Sequence, residues 1–114
     1  LVYSSIRRAE SSQDPIGAAL GRLTLGTCLR MQDKLEESER ELRPAIAHLG
    51  ELNDVAGVGA GRCSLAITLY LHGDVEDARQ EWEVGKANLE KANDQQSLKS
   101  LTAEWEQVRA EPIP

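Results

Sequence analysis

The chain of 114 residues repeats its own sequence pattern with a period of forty residues. Asp14, Asp54 and Asp94 mark the period, and residues 14–54 align with residues 54–94 without a gap. The identical pairs include Gly17/Gly57, Gly21/Gly61, Arg22/Arg62, Leu25/Leu65, Leu29/Leu69, Glu36/Glu76, Glu41/Glu81, Ala47/Ala87, Leu49/Leu89 and Asn53/Asn93. This period is typical of a helix pair in a helical array. Since one pair cannot bury its apolar faces alone, we expect an all-α fold of stacked pairs.

The composition argues against a sheet protein and against a nucleic-acid binder. Phe is absent and aromatic residues make up only 4% of the chain, which disfavours strands. The net charge of −6 leaves no basic face for a phosphate backbone. The least polar stretch, residues 55–71, is short for a membrane span and carries Arg62, and no signal peptide is visible. We therefore expect a cytoplasmic protein that contacts neither nucleic acid nor a membrane.

Cys28 and Cys63 occupy non-equivalent positions of the repeat, each inside an apolar run. This placement indicates reduced thiols in the core of a cytoplasmic protein. A disulfide between adjacent helices is the alternative interpretation.

The three marker aspartates each precede a helical pattern. Aspartate is a favoured N-cap residue because its carboxylate accepts hydrogen bonds from the unpaired first-turn amides. Pro15 follows Asp14 at the first helical position, where its missing amide is not needed. We therefore predict that Asp14, Asp54 and Asp94 begin three equivalent helices and have no catalytic role.

Two kinds of helix alternate in the predicted pattern. The first helix of each unit, about 15–31 and 55–71, is apolar nearly all round and is therefore expected to be buried between neighbours. The second helices, about 35–52 and 75–92, each carry one apolar stripe at helical spacing. Their other face is rich in charged residues, which indicates an outer surface in contact with solvent.

Two local features lie between or within these helices. Gly73 predicts a left-handed helix terminator, and Asp74 with Asp77 resembles a capping box. Pro44 removes an amide inside the second helix and clashes with the carbonyl of Arg40, so we predict a bend or a local break there.

The ends of the chain read as half-repeats of one single domain. Residues 1–13 align with residues 41–53 and predict the second helix of a truncated repeat. Two whole repeats follow, 14–53 and 54–93. Residues 94–111 predict a final or capping helix, with a stripe of Leu98, Leu101, Trp105 and Val108. The prediction is about six antiparallel helices in an α-α superhelix.

Several short motifs carry a family resemblance over nearly the whole chain. They are Leu25-Gly26 with Leu29, Leu65-Ala66 with Leu69, and Gly73-Asp74-Val75-Glu76-Asp77-Ala78. In these motifs the chain resembles the tetratricopeptide repeat (TPR) superfamily, in its forty-residue variant common in bacterial regulatory proteins. Arg22 and Arg62 depart from the family pattern, which has a large apolar residue there. The resemblance implies an α-solenoid and leaves the function open.

The resemblance also implies which positions line the concave face of the solenoid. The predicted peptide-binding residues are Leu20, Leu23, Thr27, Arg30, Cys63, Ile67 and Tyr70, and the groove would also include Met31, Ala60 and Leu71. This surface is mostly apolar, so a clamp for acidic peptide C-termini is not expected. A helical or extended apolar segment is the expected ligand, with Tyr70 and Leu23 as anchors and Arg30 orienting it.

No arrangement of residues in the sequence indicates catalysis. His48 and His72 lack partners at zinc-ligand spacing, and neither cysteine has an obvious basic partner that would lower its pKa. The glycines lie inside helical patterns and form no phosphate-binding loop. We therefore predict no enzyme activity, no catalytic residues, no metal and no cofactor.

The leading functional hypothesis is a scaffold or regulatory module that binds a protein or peptide partner on its concave face. One alternative is a ligand- or signal-peptide-sensing domain of a bacterial transcriptional regulator or sensor protein. A second alternative is a structural spacer or self-association segment whose exposed terminal helices pair between copies.

Overall fold

The structure, a computed structural model, describes Tyr3, Ile6 and residues 14–111. These residues are all-helical, with no strand among them. The helices are α1 (Pro15–Met31), α2 (Leu35–Glu51), α3 (Val55–Leu71), α4 (Val75–Lys91) and α5 (Gln95–Ala110). The predicted helix bounds agree with these to within about one residue. Within the described residues no helix is both long enough and apolar enough to cross a membrane.

The predicted helix at residues 1–13 lies outside the described residues, apart from Tyr3 and Ile6, which are both helical. Ile6 is buried, and a Cβ added to Gly21 would meet its Cγ1 at 2.6 Å. A Cβ added to Gly61 would meet Cγ1 of Ile46 at the same distance. Since these two pairs lie forty residues apart, Ile6 packs against α1 at the position where Ile46 packs against α3.

The helices begin every twenty residues, so each forty-residue repeat consists of two steps of equal length. Every link has three residues, and the middle one has positive φ. These residues are Asp33, Asn53, Gly73 and Asn93. After each, a backbone amide bonds back to the carbonyl of a leucine five residues earlier, as Lys34 does to Leu29 at 2.9 Å and Asp74 to Leu69 at 2.9 Å. One C-cap motif therefore ends each of the first four helices.

The predicted N-caps are confirmed at all three marker aspartates. The side chains of Asp14 and Asp54 accept hydrogen bonds from the Gly17 and Gly57 amides, at 2.9 and 3.1 Å, and Asp94 caps α5 in the same way. A Cβ at Gly17 would lie 2.3 Å from Oδ2 of Asp14, so glycine leaves room for the carboxylate.

The predicted capping box at the start of α4 is wrong. Asp74 is the N-cap residue, but its side chain makes no capping hydrogen bond. Asp77 is one methylene shorter than the Glu or Gln that reaches back in a capping box, and its carboxylate repels that of Asp74. The acidic residues of this first turn, Glu76 and Asp77, instead interact favourably with the positive end of the helix dipole.

Helix α2 stays helical through Pro44, so the predicted local break does not occur. Pro44 is exposed on the helix surface. Water can therefore bond the Arg40 carbonyl that has lost its amide partner, and the helix continues to Glu51.

Helix α3 lies at the centre of the fold and packs against each of the other four helices. Its side chains from Cys63 to Leu69 are all buried. They join a core of aliphatic residues from α1, α2 and α4, closed on one side by Trp82 and Trp105. The prediction that this helix is surrounded by neighbours is confirmed.

The packing of α5 does not repeat the packing of α3. Of the two helices that precede it, α3 packs mainly on α2 and only slightly on α1, whereas α5 packs more on α3 than on α4. The rings of Trp82 and Trp105 stack at 4.9 Å between α4 and α5, where the equivalent pair one repeat earlier is Leu42 and Leu65. The two indoles fill more space between α4 and α5 than two leucines would.

Candidate functional site

The seven predicted peptide-binding residues do not lie together on one open surface. Leu23, Cys63 and Ile67 are core residues, with exposed fractions of 8%, 0% and 0%. Thr27 and Tyr70 are half-buried, and Leu20 is exposed. A partner can therefore reach Leu20 directly, but it cannot reach Cys63 or Ile67 while the fold is intact.

Arg30 is buried and bound to another helix. Its Nη2 lies 3.0 Å from Oε2 of Glu104 in α5, although the backbones of α1 and α5 make no close contact. The Arg30 side chain is 7% exposed and the Glu104 side chain 45% exposed. The guanidinium Nε is buried and has no hydrogen-bond partner within the described part of the chain. The Glu104 carboxylate therefore engages only part of the donor set of the buried Arg30 guanidinium.

Tyr70 contacts the same helix as Arg30. Its ring meets Trp105 edge to face, with centroids 5.6 Å apart. Trp105 also stacks on Trp82, and the guanidinium of Arg109 lies 5.4 Å from the Trp105 ring centroid. Trp105 is only 4% exposed, so this aromatic cluster fastens α5 to the rest of the fold.

The exposed apolar side chains concentrate on one face of α1. Ile16 and Leu20 are each 39% exposed and Met31 is 78% exposed. Spacings of four and eleven residues place all three on the same side of a helix. Leu71, the repeat equivalent of Met31, is also exposed. We call Ile16, Leu20, Met31 and Leu71 the apolar surface.

Sequence reasoning missed an ion pair that occurs once in each repeat. Arg22 meets Glu41 with Nη1 and Oε2 3.7 Å apart, and Arg62 meets Glu81 with the same atoms 2.9 Å apart. Both arginines and both glutamates belong to the identical pairs of the repeat, so the signal was present in the sequence. Each pair joins the first helix of a unit to the second, which gives the two departures from the family pattern a structural role.

A buried polar contact joins three helices. The Ser38 hydroxyl donates to the Gly26 carbonyl at 2.7 Å and lies 3.1 Å from Oγ1 of Thr68, which also lies 3.2 Å from the Ser64 carbonyl. Two hydroxyl protons serve three contacts, so the Thr68 proton is shared between Ser38 and Ser64. The arrangement positions α1, α2 and α3 relative to one another and offers no reactive group.

A cavity of about 480 Å³ lies between the first half of α1 and the second half of α2. Its floor includes Ala19 and Ala45, and its rim carries Asp14, Arg22 and His48. In the second unit Gly59 and Gly85 replace the two alanines, and these helices pack more closely. The cavity therefore arises from the wider spacing of the first helix pair.

The two cysteines are free and differ in environment: Cys28 is half-buried, whereas Cys63 is fully buried. Burial raises the pKa of the Cys63 thiol from its ordinary value of 9.0 to about 12. A thiolate at this position would be desolvated, so Cys63 is expected to be unreactive in the folded protein.

The raised pKa of Cys63 leads to a prediction about alkaline stability. Above pH 9 the thiol ionises in the unfolded chain but stays neutral in the folded protein, so the unfolded state gains stability until about pH 12. We expect the free energy of unfolding to fall more steeply with pH in the wild type than in Cys63→Ala. Urea titrations at several alkaline pH values measure this slope. Equal slopes in the two proteins would contradict the prediction.

The histidines His48 and His72 are both exposed. Within the described residues, no group of three His, Cys, Asp or Glu side chains is placed to hold a metal ion.

Comparisons of the chain with protein-family models, with curated proteins and with solved structures find no match.

Proposed function

We propose that the chain is a TPR-like α-α superhelix and acts as a non-enzymatic module that binds another protein. Two features support the repeat architecture. The helices follow a twenty-residue register with one C-cap motif, and the first and second helices of both units are joined by equivalent ion pairs. Such arrays present the same face of successive first helices, here α1 and α3, to one continuous surface.

The observation that carries the proposal is the apolar surface formed by Ile16, Leu20, Met31 and Leu71. Three of these long apolar side chains lie on one face of α1, and scattered single exposures would not have this meaning. Three of these residues, Leu20, Met31 and Leu71, are among the positions that the family resemblance implies for the concave groove. The apolar surface therefore includes those residues of the predicted groove that are exposed to a partner.

The polar residues between these side chains do not make the surface hydrophilic. The hydroxyl of Thr24 donates to the Leu20 carbonyl at 3.2 Å, and that of Thr27 donates to the Leu23 carbonyl at 3.1 Å. Because both hydroxyl protons are used within α1, the threonines offer a partner no hydrogen-bond donor, only their methyl groups and the acceptor side of their oxygens. An apolar segment, helical or extended, fits this surface best.

We expect peptides selected from a displayed random library on the wild-type protein to lose at least about tenfold in affinity when Leu20 and Met31 are both replaced by serine. The physical reason is the loss of apolar area that a bound peptide would bury, at roughly 25 cal/mol per Å². Fluorescence polarisation with the selected peptides measures the change. Both side chains are exposed, so the variant should unfold at nearly the wild-type urea midpoint.

The matched control is Val84→Ser, which removes an apolar side chain of similar exposure from α4, outside the apolar surface. This variant should bind the selected peptides as the wild type does. If Leu20→Ser/Met31→Ser binds them equally well, or if no peptide is enriched, the proposed surface is wrong.

A further inference from the structure

Two side chains at equivalent positions of the two repeats contact two consecutive residues of α5. Arg30 and Tyr70 are forty residues apart, and they contact Glu104 and Trp105, respectively. Both were predicted as binding residues because the family resemblance places them on the concave face. A helical array binds a helical ligand in this way, because each repeat contacts a different side chain of the same ligand segment.

The exposed side of α5 does not provide the packing surface that α3 provides. Where α3 places Gly59, Ala66 and Ile67 in buried positions, α5 has Lys99, Glu106 and Gln107, all of them exposed. Helix α5 also packs more on α3 than on α4. These features distinguish α5 from the other first helices and are consistent with a segment that lies on the array as a ligand would.

The contact between Arg30 and Glu104 leaves room for a competitor. The Glu104 carboxylate lies 3.0 Å from Nη2, while the buried Nε has no partner among the described residues and the Glu104 side chain is 45% exposed. A carboxylate that reached both nitrogens would satisfy the guanidinium more fully, since bidentate pairs are the stronger form of this interaction.

We propose that α5 is a built-in occupant of the face of α1 and α3 that carries Arg30 and Tyr70, and that this binding face recognises an amphipathic helix in which a carboxylate residue is directly followed by a large aromatic residue. The partner's carboxylate takes the place of Glu104 at Arg30, and its aromatic ring takes the place of Trp105 against Tyr70. The proposal rests on the proposed function, whose partner and regulation it specifies. While α5 stays bound, the apparent affinity for such a helix is reduced by the fraction of molecules in which the face is free.

The probe for this proposal is a labelled synthetic peptide with the sequence of residues 95–111, added to the full-length protein. We expect weak binding to the wild type and binding at least about tenfold tighter to Trp105→Ala, in which the protein's own α5 is loosened. In that variant, adding Arg30→Met should weaken binding by about tenfold, because the peptide carboxylate loses its partner.

Matched peptides test the recognition pattern. The peptide with Glu104→Gln should bind about tenfold more weakly, whereas the peptide with Glu106→Gln should bind unchanged, since Glu106 faces solvent. If Trp105→Ala does not fold, hydrogen exchange of the Glu104→Gln protein replaces it: the amides of α5 should exchange about tenfold faster than in the wild type, and those of α2 and α3 at the wild-type rate.

Three results would overturn the proposal: no saturable binding of the peptide to Trp105→Ala, equal binding of the two glutamine peptides, or unchanged exchange of α5 in Glu104→Gln. The proposed function fails separately, because its test uses library peptides on the wild type and the residues Leu20 and Met31.

Discussion

Replacing Trp105 with alanine is expected to destabilise the protein by about 3–5 kcal/mol, the range for removing a large buried aromatic side chain. Trp105 is 4% exposed, stacks on Trp82 and meets the ring of Tyr70. The substitution therefore removes both aromatic contacts of α5 at once. The remaining contacts of α5 are the ion pair between Glu104 and Arg30 and the packing of the partly buried Leu98, Leu101 and Val108 against the core.

Urea unfolding followed by circular dichroism tests this expectation. The variant should lose helical signal corresponding to the 16 residues of α5 before the rest of the protein unfolds, because the pairs α1/α2 and α3/α4 keep their own, more extensive contacts. Trp105→Phe is the matched control, since it keeps a ring against Trp82 and Tyr70 and should lose less than half as much stability. A loss below about 1 kcal/mol in Trp105→Ala would show that other contacts hold α5.

The helices and their caps could be predicted because the information is local and occurs more than once. Asp14, Asp54 and Asp94 each cap an amide only three residues later in the sequence. Gly73 adopts the positive φ that ends a helix without help from distant residues. The twenty-residue step was present in Leu29, Leu49, Leu69 and Leu89, the leucines that accept the link hydrogen bonds. It was overlooked because the forty-residue identity is the stronger signal.

The open face of the first helices could not be predicted from periodicity. Helix α3 is apolar on nearly all sides, so its sequence does not indicate which side meets a neighbour and which meets solvent. The family resemblance implied Cys63 and Ile67 as groove residues. In the structure the side chains of Cys63 and Ile67 are buried, and Gly85 of α4 packs beside Cys63. Leu20 and Met31 are exposed in the structure, and among the described helices only α2 and α3 bring their backbones close to that of α1.

The contacts of α5 were also beyond sequence reasoning. Arg30 and Glu104 are 74 residues apart and have no equivalent pair elsewhere in the repeat pattern. The stacked indoles depend on ring orientation, which a pattern of apolar positions does not contain. In contrast, the residues of the two ion pairs are identical charges at matching positions of the two repeats, and only the contact between arginine and glutamate was not evident from the sequence.

Replacing Gly85 with alanine is expected to destabilise the protein by about 2 kcal/mol, although the same change in an exposed helix usually stabilises it. The new Cβ would lie 2.8 Å from Sγ of Cys63, 2.9 Å from the Cys63 backbone nitrogen and 3.0 Å from Cβ of Arg62. None of these atoms is the end of a flexible side chain. Helices α3 and α4 would have to separate, and their contact is the most extensive in the described fold.

Gly50→Ala is the matched control, because its Cβ would meet only Cγ2 of Val58, at the ordinary contact distance of 3.9 Å. This variant should be more stable than the wild type by about 0.5–1 kcal/mol, from the lower entropy of its unfolded chain. Urea midpoints of the two variants should therefore move in opposite directions. Adding Cys63→Ala to Gly85→Ala should restore only part of the loss, since the backbone nitrogen at 2.9 Å remains. Full recovery would mean that the sulfur alone, and not the backbone of α3, sets the spacing of the two helices.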